Sequence, residues 1–132
     1  MSTRCAFEYA VVRVVPRVER EEFINAGVVL FCDEHGFLGA RVCLDEARLR
    51  ALAPSADAAL VRDHLEAIPR ICRGGPDSGP IGQLPLRERW RWLVAPRSTI
   101  LQMSPAHGGL AVDPGEALAR LFGELVAPSD GP

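Results

Sequence analysis

The chain has 132 residues, a length that suits one domain and can bury enough surface to fold without disulfides or metals. Its hydrophobic fraction of 48% and charged fraction of 24% are those of a globular protein and exclude global disorder. A net charge of −2 argues against a generic nucleic-acid binder, which shows a surplus of positive charge.

Residues 6–16, AFEYAVVRVVP, are rich in Val and aromatics and carry apolar side chains on both faces, which predicts a central strand covered on both sides. Pro16 ends it, because proline donates nothing to a ladder. The charged run 17–23 reads as a turn or short helix, and residues 26–33 as a second strand. Glu34-His35-Gly36 signals a hairpin into a third strand over 37–44, so the first half reads as an antiparallel meander. Asp45 caps a short helix to about Leu52, and a second helix runs from about Asp57 to Cys72, with Leu60, Val61, Leu65, Ile68 and Ile71 at helical spacing. Pro69 inside that pattern predicts a kink or an end near Ile68.

Residues 74–80, GGPDSGP, read as an exposed, mobile loop. Residues 86–94 fit a helix, with Leu86, Trp90, Leu93 and Val94 on one stripe, or a strand, with Trp90, Trp92 and Val94 on one face. Pro85 tips the reading toward a helix, and Pro96 stops it. A fourth strand is expected over 98–104 and a turn over 105–109. Asp113, Pro114 and Glu116 then start a helix carrying Leu118, Leu121, Phe122, Leu125 and Val126 toward the core. The order of elements predicts a single α+β domain over 1–132: a small, mainly antiparallel sheet of about four strands packed by three to four helices.

All 15 basic residues are arginine. Codon bias in a GC-rich genome is the favoured account, and composition alone does not support selection for bidentate recognition of carboxylate or phosphate. Cys5, Cys32, Cys43 and Cys72 form no C-x-x-C pair and sit in or beside apolar runs, which predicts buried free thiols in a reducing compartment rather than a metal site. The opening MSTRCAFEYA lacks the apolar core of a secretory signal, and no apolar run approaches a membrane span. A cytoplasmic protein with no metal, no cofactor and no membrane contact is therefore expected. The usual catalytic and phosphate-binding signatures are absent, and His35, His64 and His107 lie far apart in sequence. A Cys-His pair can form only through the fold.

Two segments stand out. Residues 15–27 place Arg17, Glu19, Arg20, Glu21, Glu22 and Asn25 between two strands. They form either a solvated connection with internal ion pairs, with Asn25 and Gly27 shaping a turn or bulge, or a polar rim where ligand groups sit. Residues 87–102 gather four arginines, two tryptophans and a Ser-Thr pair. That set suits a helix with a basic outer face, a protein–protein hot spot, or an anion or nucleotide pocket.

The run YAVVRVVPRVEREEFINAGVVLF at 9–31 and the run ERWRWLVAPRSTILQMSPAHGGL at 88–110 resemble an uncharacterised bacterial family, domain of unknown function 3037. The resemblance extends over nearly the whole chain. It implies a small stand-alone bacterial protein, carries no activity with it, and implies a gene neighbourhood that holds a HipA-like kinase, hence a kinase partner or substrate. It falls on the same two segments, which makes Arg13, Arg17, Arg20, Glu22, Asn25, Arg89, Arg97, Ser98, Thr99, Gln102 and His107 the candidate ligand residues, with Trp90 and Trp92 as interaction candidates. Arg13 lies in a strand that is otherwise apolar on both faces, so its charge calls for Glu19, Glu22 or a bound anion.

The first functional expectation is a non-enzymatic binding or accessory module that engages a partner protein through the arginine-rich surface. The second is an enzyme or sensor for a phosphorylated or nucleotide ligand, with Arg13, Arg17 and Arg97 holding the anion and Glu22 or His107 as general acid or base. The third, a nucleic-acid-binding accessory protein with Trp90 or Trp92 stacking on bases, fits the negative charge least.

Overall fold

A computed structural model describes residues 3–97 and 99–127. Strand β1 (Cys5–Val14) is the centre of the sheet. Strand β2 (Ile24–Cys32) pairs antiparallel along one edge of β1, and β3 (Phe37–Val42) follows across the Gly36 turn, whose φ of 59° suits glycine. The other edge of β1 is shared. The short β4 (Leu101–Met103) pairs with Val12–Val14, and β5 (His107–Ala111) pairs with Cys5–Tyr9. Every pairing is antiparallel, so the fold is α+β with a five-stranded sheet.

The apolar runs of β1 and β2 are explained by cover on both faces. Ala10, Val12, Val14, Val29 and Phe31 pack under α1 (Glu46–Leu52), α2 (Ala58–Arg73) and α4 (Leu86–Val94). Cys5, Phe7, Val28, Leu30 and Cys32 face α5 (Pro114–Leu125). The expected caps are present. Asp45 accepts from the Arg48 amide, Asp57 from Leu60, and Asp113 from Gly115 and Glu116, each satisfying an otherwise orphaned helix donor.

Several expectations need correction. Helix α2 runs through Pro69 to Arg73 instead of ending near Ile68. Burial of Val61, Leu65, Ile68 and Cys72 against the sheet offsets the backbone bond that proline removes. Residues 74–80 are largely exposed, as expected, but they are not without regular structure. They form a 3-10 turn (Pro76–Ser78) with Ser78 buried, leading into α3 (Gly79–Gly82). Residues 107–111 are strand rather than turn, because Gly109 faces Phe7 and lets its ring lie where a Cβ would stand. The fourth strand covers only Leu101–Met103, and Cys43 is exposed although Cys5, Cys32 and Cys72 are buried.

The segment 15–27 makes both a turn and a bulge. Val18–Arg20 is a 3-10 turn closed by Glu21 in the left-handed region, φ 56°. The register steps from Val12↔Gly27 to Arg13↔Asn25, leaving Ala26 as the extra residue of a bulge. A Cβ on Gly27 would stand 2.8 Å from the Arg41 carbonyl oxygen, so only glycine lets β3 approach here.

Candidate functional site

The first arginine segment resolves mostly into surface chemistry. Arg17 pairs with Glu19 at 2.9 Å, and Arg20 with Glu22, all on exposed side chains. A backbone hydrogen bond at Glu19, then Arg17, holds the Glu19 carboxyl below its usual range. Glu22 is paired with Arg20 and does not border the Arg13 depression. Asn25 donates to the Leu125 carbonyl at 3.1 Å, closing the C-terminal end of α5.

Arg13 differs from its neighbours. Its guanidinium lies 4.2 Å above the Phe23 ring, and its buried Nε has no hydrogen-bond partner among the described residues. Neither Glu19 nor Glu22 reaches it, since both are bound to other arginines. The side chain lines a depression of about 330 Å³ with Val15, Val18, Glu21, Phe23 and Gln102. The two sequence segments do converge here, joined by a 2.7 Å bond from the Val15 amide to the Ile100 carbonyl, but they bring one arginine and not three.

The second segment splits between interior and surface. Trp90 is an interior residue, 4% exposed, stacked on Phe31 at 5.7 Å and donating to Glu8 at 3.0 Å. It is removed from the interaction candidates. Arg89 donates to the carbonyls of Leu84, Ile71 and Cys72, at 2.9, 3.1 and 2.8 Å, and so ties off the end of α2 rather than binding a ligand. Trp92 is 40% exposed, and the Arg97 guanidinium stacks 4.0 Å above its ring. Arg97 also donates to the carbonyls of Leu93 and Trp92, and its partial burial lowers its pKa.

Trp92 and Arg97 border a groove of about 240 Å³ between α2, α4 and β4. Ala67, Ile68, Ile71, Leu93, Leu101 and Met103 give it an apolar lining, with Asp63 and His64 at the rim. Thr99 and Gln102 border it as well. Thr99 donates to the Leu101 carbonyl and Gln102 to the Thr99 carbonyl, which fixes the approach to β4. Gln102 borders both this groove and the Arg13 depression. Ser98 lies outside the described residues.

His107 is brought to neither. It pairs with Tyr9 on β5, its ring 5.4 Å from the tyrosine, four positions from Arg13 along β1, or about 13 Å. A general acid at His107 and an anion at Arg13 therefore do not share a site. The fold does form one Cys-His contact, with Cys5 Sγ 2.8 Å from His35 Nε2. A hydrogen bond with Glu34, burial and the Glu34 charge push the Cys5 thiol up to about 11, so it stays protonated and is no activated nucleophile. A third depression of about 450 Å³ over Trp90 is lined by Arg87 and Arg91 of the 87–102 segment and by Glu8 and Asp33, two acids that sequence reasoning did not single out. The exposed Phe23 and Val18 were missed as well. Their signal was two apolar residues inside a charged run.

These features define an α+β protein whose sheet is covered on both faces and whose open features include an apolar groove and an arginine-bearing depression. The chain belongs to the family described as protein of unknown function DUF3037, whose model matches residues 9–126. Comparison with curated proteins and with solved structures gives no match. Among the described residues no helix is long and apolar enough to cross a membrane.

Proposed function

We propose that this protein is a cytoplasmic binding module that seats an apolar segment of a partner protein in the groove between α2, α4 and β4. The observation that carries this reading is the Arg97–Trp92 stack beside an apolar floor. An exposed tryptophan costs solvation unless a partner covers it, and Trp and Arg are the residues enriched where protein interfaces gain most of their energy. Arg97 has already committed donors to helix carbonyls, so it supports the ring as a wall rather than reaching out for a small anion. The groove offers few unspent polar groups to orient a small molecule, which favours a side chain or helix face from a protein. A nucleic-acid surface is disfavoured, because among the described residues seven arginines, from Arg17 to Arg120, sit in ion pairs with acids that offset their charge.

Family context makes a HipA-like kinase the first partner to test. Titration calorimetry of the purified pair should give a complex that Trp92→Ala weakens by about 2 kcal/mol, roughly thirtyfold. Arg91→Ala, exposed on the same helix and outside the groove, should leave it unchanged. Equal affinities for both variants would remove the groove as the docking site.

A further inference from the structure

A second observation, independent of the groove, concerns the charge on Arg13. In a sheet flanked by apolar cores, a guanidinium needs an acceptor, and each buried donor left without one costs about 1–3 kcal/mol. Of the acids in the turn that follows, Glu19 holds Arg17 and Glu22 holds Arg20, while Glu21 borders the same depression as Arg13. Arg13 keeps only the face of Phe23, which stabilises its charge without accepting from its N–H groups. The fork is thus held by stacking, placed beside a bulge, and left with its buried Nε unpartnered at the border of a depression of about 330 Å³.

The rest of that depression narrows the ligand. Its border holds one cation, Arg13, and one acid, Glu21, with the Gln102 amide between strands and three apolar side chains, Val15, Val18 and Phe23. Among the described residues no ion pair joins Glu21 to Arg13, although both border the depression. A phosphate dianion would face Glu21 with a single compensating arginine. A simple carboxylate would leave Glu21 uncompensated. A zwitterion answers both charges at once.

We propose that this depression binds a free α-amino acid with an apolar side chain: its carboxylate on the Arg13 fork, its ammonium on Glu21, and its side chain against Phe23, Val15 and Val18. Arginine suits the carboxylate end because its planar donors match two oxygens in one geometry. The space corresponds to roughly ten water molecules at about 30 Å³ each, which is enough for the nine non-hydrogen atoms of leucine.

Calorimetry of the full chain with L-leucine, N-acetyl-leucine, leucinamide, glycine and inorganic phosphate tests this directly. Leucine should bind with a dissociation constant below about 1 mM, and each of the other four should bind at least about tenfold more weakly. Arg13→Gln should abolish leucine binding, with circular dichroism confirming the fold. The exposed Glu21→Gln, which does not touch the core, should erase the preference for leucine over N-acetyl-leucine. Trp92→Ala should change neither. Phosphate binding in place of leucine, leucine binding that survives Arg13→Gln, or no leucine binding up to about 10 mM would each overturn the proposal.

Discussion

Arg89 stands among the arginines that sequence reasoning assigns to ligand binding, and its geometry makes it a structural clamp. Its guanidinium donates three hydrogen bonds to backbone carbonyls, of Ile71, Cys72 and Leu84, at 2.8–3.1 Å. Two of those carbonyls belong to the last turn of α2, where the helix has no further amide donors of its own and where its dipole favours a cation. A bond from a charged donor contributes about 1.5–3 kcal/mol, and water recovers part of it when the donor is removed, so Arg89→Met should cost about 3 kcal/mol in all. Methionine keeps the packing of the aliphatic stem and isolates the loss of the fork. For a chain of this length the melting temperature should fall by about 12 °C. Gly74 supplies a second check. It leaves α2 with φ 69°, and a Cβ there would stand 2.9 Å from the Arg89 guanidinium. Gly74→Ala should therefore cost more in the wild-type background than in Arg89→Met, a coupling that a double-mutant cycle in urea measures. A loss below about 1 kcal/mol for Arg89→Met, or strict additivity with Gly74→Ala, would refute the clamp.

Burial pushes the Cys72 thiol from 9.0 up to about 12, against a weaker opposing pull from Arg89 and Arg73. The folded state keeps this proton where the unfolded chain releases it, so its contribution is complete below pH 9.0 and is lost as the pH climbs toward 12. Urea unfolding should show wild type losing about 1.4 kcal/mol relative to Cys72→Ala between about pH 8 and pH 10, and parallel pH profiles would contradict the assignment. Thiol alkylation followed by mass spectrometry should label the exposed Cys43 first and leave Cys5 and Cys72 protected, because both are buried and held protonated. Two glycine substitutions should act in opposite directions. Gly27→Ala meets the Arg41 carbonyl and Val42 at 2.8 Å and should cost about 1–3 kcal/mol, while Gly123→Ala, in α5 with nothing within 4 Å, should stabilise by about 0.4–1 kcal/mol. Thermal melts check both.

The fold was legible where a local rule and the core agree. Two-sided apolar strands announced a sheet covered on both faces, and Asp45, Asp57 and Asp113 each marked a helix start that the structure uses. Legibility failed where a distant contact overrules a local preference. Pro69 should break a helix, but four buried residues of α2 hold the turn around it. Gly108-Gly109 should make a turn, but Phe7, about a hundred positions earlier, uses the missing side chain. The site was harder to read, because no spacing reveals that Glu19 and Glu22 are already occupied or that Trp90 and Trp92, two positions apart on a helix, face opposite environments. Helical geometry separates them by about 200° and predicts that one is interior, yet only the fold says which.

The arginine content illustrates the same point at the level of chemistry. Codon bias can fill a surface with arginine, and seven of the 15 do form exposed pairs with acids, an arrangement that contributes roughly 0–1 kcal/mol apiece. Arg89 and Arg97 do something lysine does poorly, since a planar fork reaches two or three carbonyls at once and still stacks on a ring. Arg97 and Arg13 then look alike, each lying about 4 Å over an aromatic face, but their donors separate them. Those of Arg97 close the end of α4, so its charge is spent inside the protein and its exposed ring partner is what a neighbour meets. The buried Nε of Arg13 meets no acceptor among the described residues, and no carbonyl closes over its fork as it does for Arg97. Lysine at position 97 would lose the helix closure and the flat wall of the groove together. Lysine at position 13 would keep a charge beside Phe23 and lose only the two-pronged geometry that distinguishes a carboxylate from any other anion.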